Sequence, residues 1–344
     1  MYLLLVCLLF AVSTVYAQLP AVTDLQRTDL FDDPPTAACH AATIVELAPG
    51  HLLAAWFGGS YEGAKDVGIY ASGRRDAGAW SAPVQLVAPL QQEGDTLPCW
   101  NPVLFRSASE RLYLFYKVGE NPREWFGAVI TSDDDGGHWS APVYLPDGFL
   151  GPIRNKPVEV RPGVLLCGSS TERVGTDAWR VHLERFTEAD GRWERVAVPN
   201  PDSFDIIQPT FLEHGGDRLQ ILCRSRHDRL VSSWSDDGGS SWSAADTITV
   251  FNSNSGVDAV SLGPATFLLT NNPLPRGADW WNGRNVLDVE YSTDGLRWAK
   301  LFDLENHPAG EYSYPAAIRA ADGTVHVVYT ADRRVIRHAS FQLE

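Results

Sequence analysis

Short apolar runs alternate with polar turns along the whole chain, and each run has the length of a β-strand. Examples are residues 52–56, 112–116, 164–167, 219–223 and 266–270. Gly, Pro, Asn or Asp bounds each run, which is typical of strands. No convincing long stretch has the apolar spacing of an amphipathic helix, so the pattern predicts an all-β fold.

The strands recur six times in one order. A polar approach leads into an apolar strand, a glycine turn and a second apolar strand. When the repeats are aligned at the Pro or Ala that opens the first strand, one polar residue per repeat falls at the same position. These residues are His40, Asn101, Lys156, Gln208, Asp258 and Tyr314. This polar ring is the basis of the functional hypothesis.

A second motif, Ser-x-Asp-x-Gly-x-x-Trp, recurs between these strand pairs. It is complete at residues 132–139 and 235–242, and incomplete copies begin at residues 72, 187 and 292. In a β-hairpin the Asp carboxylate would accept from turn amides, Gly would take a positive φ and Trp would pack the turn onto the sheet. A period of roughly 50–60 residues is typical of four-stranded propeller blades.

This motif is the Asp box, and residues 38–344 resemble the sialidase (BNR-repeat) superfamily. The resemblance implies a six-bladed β-propeller of four-stranded blades, in which the Asp boxes are structural. Five Asp boxes and the final repeat at residues 312–344 account for six blades. We expect a strand from the lead-in segment, residues 18–37, to close the last blade. The start of each blade's first strand and the loop after its second strand then lie on the same face of the propeller. We expect the ligand site on that face.

Composition narrows the partners and the compartment. The chain has 344 residues, 44% of them hydrophobic, and a net charge of −15. Because there is no basic run, nucleic acid and anionic membrane surfaces are poor candidates. Residues 1–17 read as a cleaved signal peptide, which predicts a secreted or periplasmic protein. The alternative is an uncleaved membrane anchor, for which the apolar run is short. Four cysteines remain after cleavage, as buried thiols or as disulfides: Cys39, Cys99, Cys167 and Cys223.

The resemblance also implies a chemistry. Sialidases hold the substrate carboxylate with three arginines, while a tyrosine activated by a glutamate attacks the anomeric carbon and an aspartate serves as acid/base. Position by position, the second and third arginines match Arg224 and Arg284, and the aspartate matches Asp66. The tyrosine matches Tyr312 or Tyr314. The implied activity is the hydrolysis of a terminal acidic sugar from a glycan, with no cofactor and no metal.

Two positions depart from the family pattern. The first arginine is replaced by His40, and the activating glutamate by Gln208, an amide that cannot take a proton. Glu311 or Glu172 would have to substitute for that glutamate. The remaining substrate-binding candidates come from the polar ring and from the ends of second strands: Arg226, Lys156, Asn101, Asp258, Lys117 and Trp56.

Three other functions remain open, as does the oligomeric state. A uronate lyase would neutralise the substrate carboxylate with arginine or lysine and remove its α-proton with His40 or a tyrosine. A hydrolase of another sugar would use a carboxylate pair drawn from Asp66, Glu62, Asp258 and Glu172. A glycan-binding propeller without activity would present aromatic side chains such as Trp56, Trp100, Trp125, Trp280 and Trp281.

Overall fold

The structure is a computed structural model that describes residues 19–92, 94–172, 178–200, 204–279 and 281–344. The predicted signal peptide and Trp280 lie outside these residues. The described residues form β-strands joined by turns and loops, without a helix. In this part of the chain, therefore, no helix has the length and apolarity needed to cross a membrane.

The strands fall into six four-stranded sheets and one small hairpin. In chain order they are β1 (Val22–Asp29); β2 (Ala38–Ala48), β3 (His51–Gly59), β4 (Gly68–Arg75) and β5 (Val84–Val87) in blade 1; the hairpin β6 (Leu90–Gln92) and β7 (Asp95–Leu97); and β8 (Cys99–Arg106), β9 (Leu112–Val118), β10 (Phe126–Ser132) and β11 (Val143–Tyr144) in blade 2.

The chain continues with β12 (Val158–Arg161), β13 (Val164–Glu172), β14 (Trp179–Thr187) and β15 (Arg192–Val196) in blade 3; β16 (Ile206–Glu213), β17 (Leu219–Ser225), β18 (Arg229–Ser235) and β19 (Asp246–Phe251) in blade 4; β20 (Asp258–Gly263), β21 (Thr266–Asn271), β22 (Val286–Ser292) and β23 (Ala299–Asn306) in blade 5; and β24 (Tyr312–Arg319), β25 (Val325–Ala331) and β26 (Val335–Leu343) in blade 6.

These antiparallel sheets form a six-bladed β-propeller, which confirms the predicted fold. The first strands of neighbouring blades contact one another, as between β16 and β20, β20 and β24, and β24 and β2. The first strands therefore surround the propeller axis. Side chains at their starts, and in the loops that follow second strands, converge on one face.

Blade 6 closes the ring with a strand from the other end of the chain. Strand β1, from the lead-in segment, pairs antiparallel with β26 and completes the sheet. An ion-pair network supports this seam, since Arg337 donates to Asp29 over 2.8 Å and to Glu305 over 2.6 Å. The predicted N-terminal closing strand is thus present, and it makes the lead-in segment part of the propeller.

The core consists of apolar layers between adjacent blades. Phe57 and Ile69 of blade 1, for example, lie in one buried cluster with Leu104 and Leu114 of blade 2. The four cysteines are free and buried in these layers. Burial raises the pKa of Cys39 and Cys99 to about 12. Of the two states left open by the sequence, the structure therefore has buried thiols.

The Asp boxes form the hairpins between third and fourth strands. In blade 4, Asp237 accepts hydrogen bonds from the amides of Ser240 and Ser241, both over 2.9 Å, and from the Ser241 hydroxyl over 2.6 Å. Gly239 has a φ of 78°, and Trp242 is buried beside Phe211. Carboxylate, glycine and tryptophan thus have the structural roles predicted for this motif.

The Asp237→Ala variant should lower the free energy of unfolding by about 1–2 kcal/mol, because the turn amides lose a charged acceptor. Asp236 is a matched control, since this adjacent exposed residue has only a loose contact of 3.6 Å with Arg218. Urea unfolding of both variants measures the difference. Equal losses for Asp237→Ala and Asp236→Ala would contradict the structural role of the Asp box.

Candidate active site

In four blades the first strand opens with a β-bulge. These bulges lie on the face where the starts of the first strands converge, which is called the functional face below. The strand register shifts between His40 and Thr43, Trp100 and Val103, Ile207 and Thr210, and Ser313 and Ala316. A bulge takes residues out of the ladder and redirects their side chains. The bulged residues with positive φ are Ala41, Asn101, Gln208 and Tyr314, at 54°, 39°, 56° and 54°.

In blade 1, the residue at the bulge lies one position after the residue that the sequence alignment predicts. The bulge there falls at Ala41, whereas the sequence alignment selected His40. His40 instead pairs with Phe57, just as Ser313 pairs with Thr330 ahead of the blade 6 bulge. His40 is therefore equivalent to Ser313 and not to Tyr314. The sequence could not show this, because a bulge adds a residue to one strand without an obvious signature.

Tyr314 lies at the centre of a group of arginines. Arg224 donates from one Nη1 atom to the Tyr314 hydroxyl over 2.6 Å and to the Gln208 side-chain oxygen over 3.1 Å. The guanidinium carbons of Arg154, Arg224 and Arg284 lie 5.3, 5.7 and 5.7 Å from the centre of the tyrosine ring. Blades 3, 4, 5 and 6 therefore contribute to one constellation.

The local charge around Tyr314 is positive although the chain carries a net charge of −15. Among the described residues, neither Arg154 nor Arg224 has a carboxylate as a hydrogen-bond partner. Arginine forks bind carboxylates and phosphates well, especially where water is largely excluded. The constellation is consequently suited to an anionic ligand.

Arg154 is the residue that the sequence interpretation missed. Its side chain is only 1% exposed, and burial lowers its pKa to about 10. It stands two positions before Lys156, which the repeat alignment selected instead. The one available signal was a run of three polar residues, 154–156, between Ile153 and Pro157.

Glu311 is the counter-ion of two arginines. It accepts from Arg284 over 3.0 Å and from Arg333 over 2.8 Å, and Arg333 also contacts Glu62. Burial alone would raise the pKa of Glu311, but the hydrogen bonds and charges of Arg333 and Arg284 lower it overall. The carboxylate is therefore ionised at neutral pH and holds Arg284 in position.

The two candidate tyrosines have different surroundings. Tyr312 stacks on His307 with a ring separation of 4.6 Å, and its backbone binds Arg284 and Asn272. Only Tyr314 has its hydroxyl on an arginine. Of the two candidate tyrosines, Tyr314 is therefore the one whose side chain lies within the arginine group.

His40 packs against Tyr314, with 4.2 Å between the ring centres. Its Nδ1 forms a hydrogen bond with the Thr330 hydroxyl over 2.9 Å. Burial, and then the charges of Arg333, Arg284, Arg154 and Arg224, lower the pKa of His40 well below its ordinary value. The imidazole is therefore neutral, and its buried Nε2 has no hydrogen-bond partner among the described residues.

A second charged cluster lies beside Arg224. Glu172 accepts from the Trp179 indole over 3.2 Å, and the guanidinium of Arg226 lies 4.1 Å from the centre of the Trp179 ring. Burial raises the pKa of Glu172, although Arg224 and Arg226 oppose the shift. A half-buried carboxylate of this kind can retain a proton at a higher pH than an exposed one.

Asp66 is exposed, in the loop after β3. The Ser60 hydroxyl donates to it over 2.5 Å and the Ser60 amide over 3.0 and 3.1 Å. These hydrogen bonds lower the pKa of Asp66. The predicted acid/base thus lies on the functional face as an ionised carboxylate.

Three members of the polar ring bind other blades. Lys156 forms a 2.8 Å ion pair with Asp258, and Asp258 also accepts from Thr210 over 2.6 Å. Asn101 donates to the Ile153 carbonyl over 3.2 Å. These polar side chains already bind groups of the protein itself, so we leave the three residues out of the proposed substrate site.

Two further candidates are inaccessible. Lys117 is completely buried and donates to the Pro152 carbonyl over 2.5 Å. Burial lowers its pKa to about 7. Trp56 is also completely buried, 5.1 Å from the ring of Phe31. Because neither side chain reaches solvent, we leave Lys117 and Trp56 out as well.

An arginine group thus surrounds a tyrosine on a six-bladed propeller with Asp-box hairpins. The family model for the BNR repeat-like domain matches residues 50–327. The chain therefore belongs to the BNR repeat-like family. No curated protein matches the sequence.

Solved structures share the fold at low sequence identity. A protein of unknown function from Dyadobacter fermentans has a TM-score of 0.74 and 15% identity, covering 94% of this chain and 100% of its own. A point mutant of the NanB sialidase of Streptococcus pneumoniae has a TM-score of 0.69 and 11% identity, covering 92% of this chain and 71% of its own. The sialidase of Trypanosoma rangeli, solved with sialic acid, has a TM-score of 0.67 and 14% identity, covering 94% and 59%.

The Glu311→Gln variant should lose about 2 kcal/mol of unfolding free energy at pH 7, because Arg284 and Arg333 lose a charged acceptor. Since the folded pKa of Glu311 lies below the ordinary 4.5, this contribution is complete above pH 4.5 and is lost as the pH falls through the folded pKa. Denaturant unfolding at several pH values measures the difference.

The control for this experiment is Asp95→Asn, which removes an exposed ion pair with Lys65. Exposed pairs contribute little to stability, so this variant should behave like the wild type. A loss in Glu311→Gln that stays constant from pH 7 to pH 3 would contradict the proposed electrostatic role of Glu311.

Proposed function

We propose that this protein is a glycosidase of the sialidase type that removes a terminal acidic sugar from a glycan. The observation that carries the proposal is the 2.6 Å hydrogen bond between Arg224 and the Tyr314 hydroxyl. Arg224 and Arg284 would bind the sugar carboxylate, and Tyr314 would attack the anomeric carbon. Residues 1–17 would direct the enzyme to the periplasm or the exterior.

Activation of Tyr314 has to differ from the family pattern, because Gln208 cannot accept a proton. Gln208 instead accepts a hydrogen bond from Arg224, the same side chain that binds the tyrosine hydroxyl. The surrounding guanidinium groups would stabilise negative charge on the phenol oxygen as its proton passes to solvent. In this proposal, positive charge takes over part of the role of the missing glutamate.

Two carboxylates are available for proton transfer. Glu172, whose pKa is raised, suits the donation of a proton to the leaving group. Asp66, whose pKa is lowered, is ionised at neutral pH, so it can accept a proton from the water that resolves a covalent intermediate, although it is a weaker base than an ordinary aspartate. We retain Asp66 as the acid/base by analogy with the family and propose Glu172 as its alternative in the first step.

A uronate lyase is the second candidate, and the contact between His40 and Tyr314 favours it. Arg224 would neutralise the uronate carboxylate, which acidifies the α-proton, and Tyr314, as the phenolate, would remove that proton. The bond from the β carbon to the glycosidic oxygen then breaks as a C=C double bond forms, and the departing oxygen takes up a proton from solvent. The lowered pKa of His40 makes it a weak base. In this reaction, His40 would therefore bind the substrate through Nε2 rather than accept the proton.

The substrate is proposed to extend beyond one sugar. A groove of about 220 Å³ beside the arginine group is lined by Trp125, Phe126, Phe149, Glu172 and Arg195, among others. Trp125 is held against Trp100 with 6.0 Å between ring centres. A partly exposed tryptophan beside polar groups is suited to stacking on a sugar ring. Glu172 links this groove to the arginine group.

Tyr314→Phe should reduce turnover of a fluorogenic sialoside about a thousandfold or more, because it removes the reacting hydroxyl. Tyr312→Phe is the matched control and should retain the wild-type rate, since Tyr312 lies against His307. A parallel assay with uronate oligosaccharides, followed by the absorbance of unsaturated products, tests the lyase candidate.

Each outcome of this paired assay decides between the candidates. Cleavage of the sialoside supports the glycosidase, and absorbance growth without sialoside cleavage supports the lyase. Wild-type activity in Tyr314→Phe on either substrate would refute the role of Tyr314. No turnover of either substrate by the wild-type protein would refute both activities and favour a glycan-binding function.

Trp125→Ala should lower kcat/KM about tenfold for a sialylated trisaccharide while leaving an aryl sialoside unaffected, because only the longer substrate would reach the groove. Phe251→Ala, at an exposed aromatic residue of the outer strand β19, is the control. Equal losses on both substrates would show that Trp125 only supports the fold.

A further inference from the structure

The segment 152–156, just before β12, contacts four other blades. Its backbone accepts hydrogen bonds from blade 2, where Lys117 and Asn101 donate to its carbonyls. The side chains of its last three residues donate hydrogen bonds to other blades: Arg154 to blade 6, Asn155 to blade 4 and Lys156 to blade 5. This segment is therefore a hub of the polar network around the axis.

Arg154 binds the bulge that contains Tyr314. Its Nη2 donates to the Tyr314 carbonyl over 2.5 Å and to the Pro315 carbonyl over 2.8 Å. The ladder between β24 and β25 shifts register at this place, so these carbonyls lie at the break in regular strand pairing. A buried carbonyl needs such a donor.

Asn155 binds the bulge that contains Gln208 in the same way. Its Nδ2 donates to the Gln208 carbonyl over 3.3 Å and to the Pro209 carbonyl over 3.2 Å. Adjacent residues of one segment thus hold two bulges in different blades. Gln208 and Tyr314, the residues presented by these bulges, both accept hydrogen bonds from Arg224.

Both bulges need support, because their backbone conformation is unfavourable. Tyr314 and Gln208 have φ values of 54° and 56°, and each precedes a proline. Residues before proline favour an extended backbone, and positive φ at a side chain of this size persists only where the surroundings hold it. Arg154 and Asn155 supply that support from across the axis.

We infer that residues 152–156 are a positioning element, in which Arg154 sets Tyr314 and Asn155 sets Gln208 around the guanidinium of Arg224. The inference deepens the proposed function, since it concerns the same site. The alignment of the tyrosine hydroxyl with Arg224 is then a property of blade 3, which contributes no group to that hydrogen bond. Displacement of this one segment would move two of the three side chains that accept hydrogen bonds from Arg224.

Hydrogen exchange measured by mass spectrometry tests the element without reference to catalysis. Arg154→Met should accelerate amide exchange about tenfold in β24 and leave β16 unchanged, because the lost donor served only the blade 6 bulge. Asn155→Ala should do the reverse. Arg154→Lys keeps the positive charge and one donor group, so its β24 exchange should lie between those of wild type and Arg154→Met.

Kinetics provide the second readout. On whichever substrate the wild-type enzyme turns over, Arg154→Met should lower kcat about 100-fold with little change in KM, because the reacting hydroxyl is misplaced. Arg106→Met is the control. Arg106 also donates to a backbone carbonyl of another blade, that of Leu47, but it lies on β8 away from Tyr314, so kcat should stay unchanged.

Strand-specific exchange together with a selective loss of kcat supports the positioning role. Unchanged exchange in β24 of Arg154→Met, or equal acceleration in the first strands of all blades, would overturn it. If Arg154→Met does not fold, Arg154→Lys decides by the same criterion. Should the protein turn over no acidic sugar, the proposed activity fails, and the exchange pattern alone still decides whether Arg154 and Asn155 hold the bulges.

Discussion

The functional face depends on the contact between Arg224 and Tyr314, which join across the axis from blades 4 and 6. This contact requires Tyr314 to leave its strand ladder with a φ of 54°. A side chain in regular β pairing alternates between the two faces of its sheet, and the bulge is what redirects the phenol. The site therefore depends on a local defect that the rest of the propeller stabilises.

Closing six blades into a ring supplies that stability. Inner strands from different blades approach one another, so polar groups released by the bulges can find partners in a neighbouring or opposite blade. Arg154 reaches Tyr314 across 160 residues of sequence. Lys156 and Asp258 form an ion pair across 102 residues. Buried polar networks of this kind are costly unless nearly every member has a partner.

Local chemistry made the fold predictable from the sequence. Each Asp box contains its own turn signal, as Asp237 and Gly239 show, and the five copies together with the final repeat account for the six blades. The family pattern also predicts Arg224, Arg284 and either Tyr312 or Tyr314 on the same face. These residues follow from short motifs whose meaning does not depend on distant parts of the chain.

The rest of the site could not be predicted in this way. Arg154 stands two positions before Lys156, the residue that the repeat alignment selects, and its importance comes only from contacts with another blade. His40 was assigned to the wrong register because the bulge in blade 1 moves the equivalent position to Ala41. Trp56 and Lys117 follow the pattern of accessible strand ends, yet both are completely buried.

The most direct test of the central claim, that Tyr314 is the reacting group, is covalent trapping. A fluorinated sialic acid that forms a slow-reacting glycosyl-enzyme would be incubated with the mature protein, and its peptides would be analysed by mass spectrometry. We predict an adduct on Tyr314 in the wild-type protein and none on this peptide in Tyr314→Phe. An adduct on another residue, or sialoside turnover without any adduct on Tyr314, would contradict the claim.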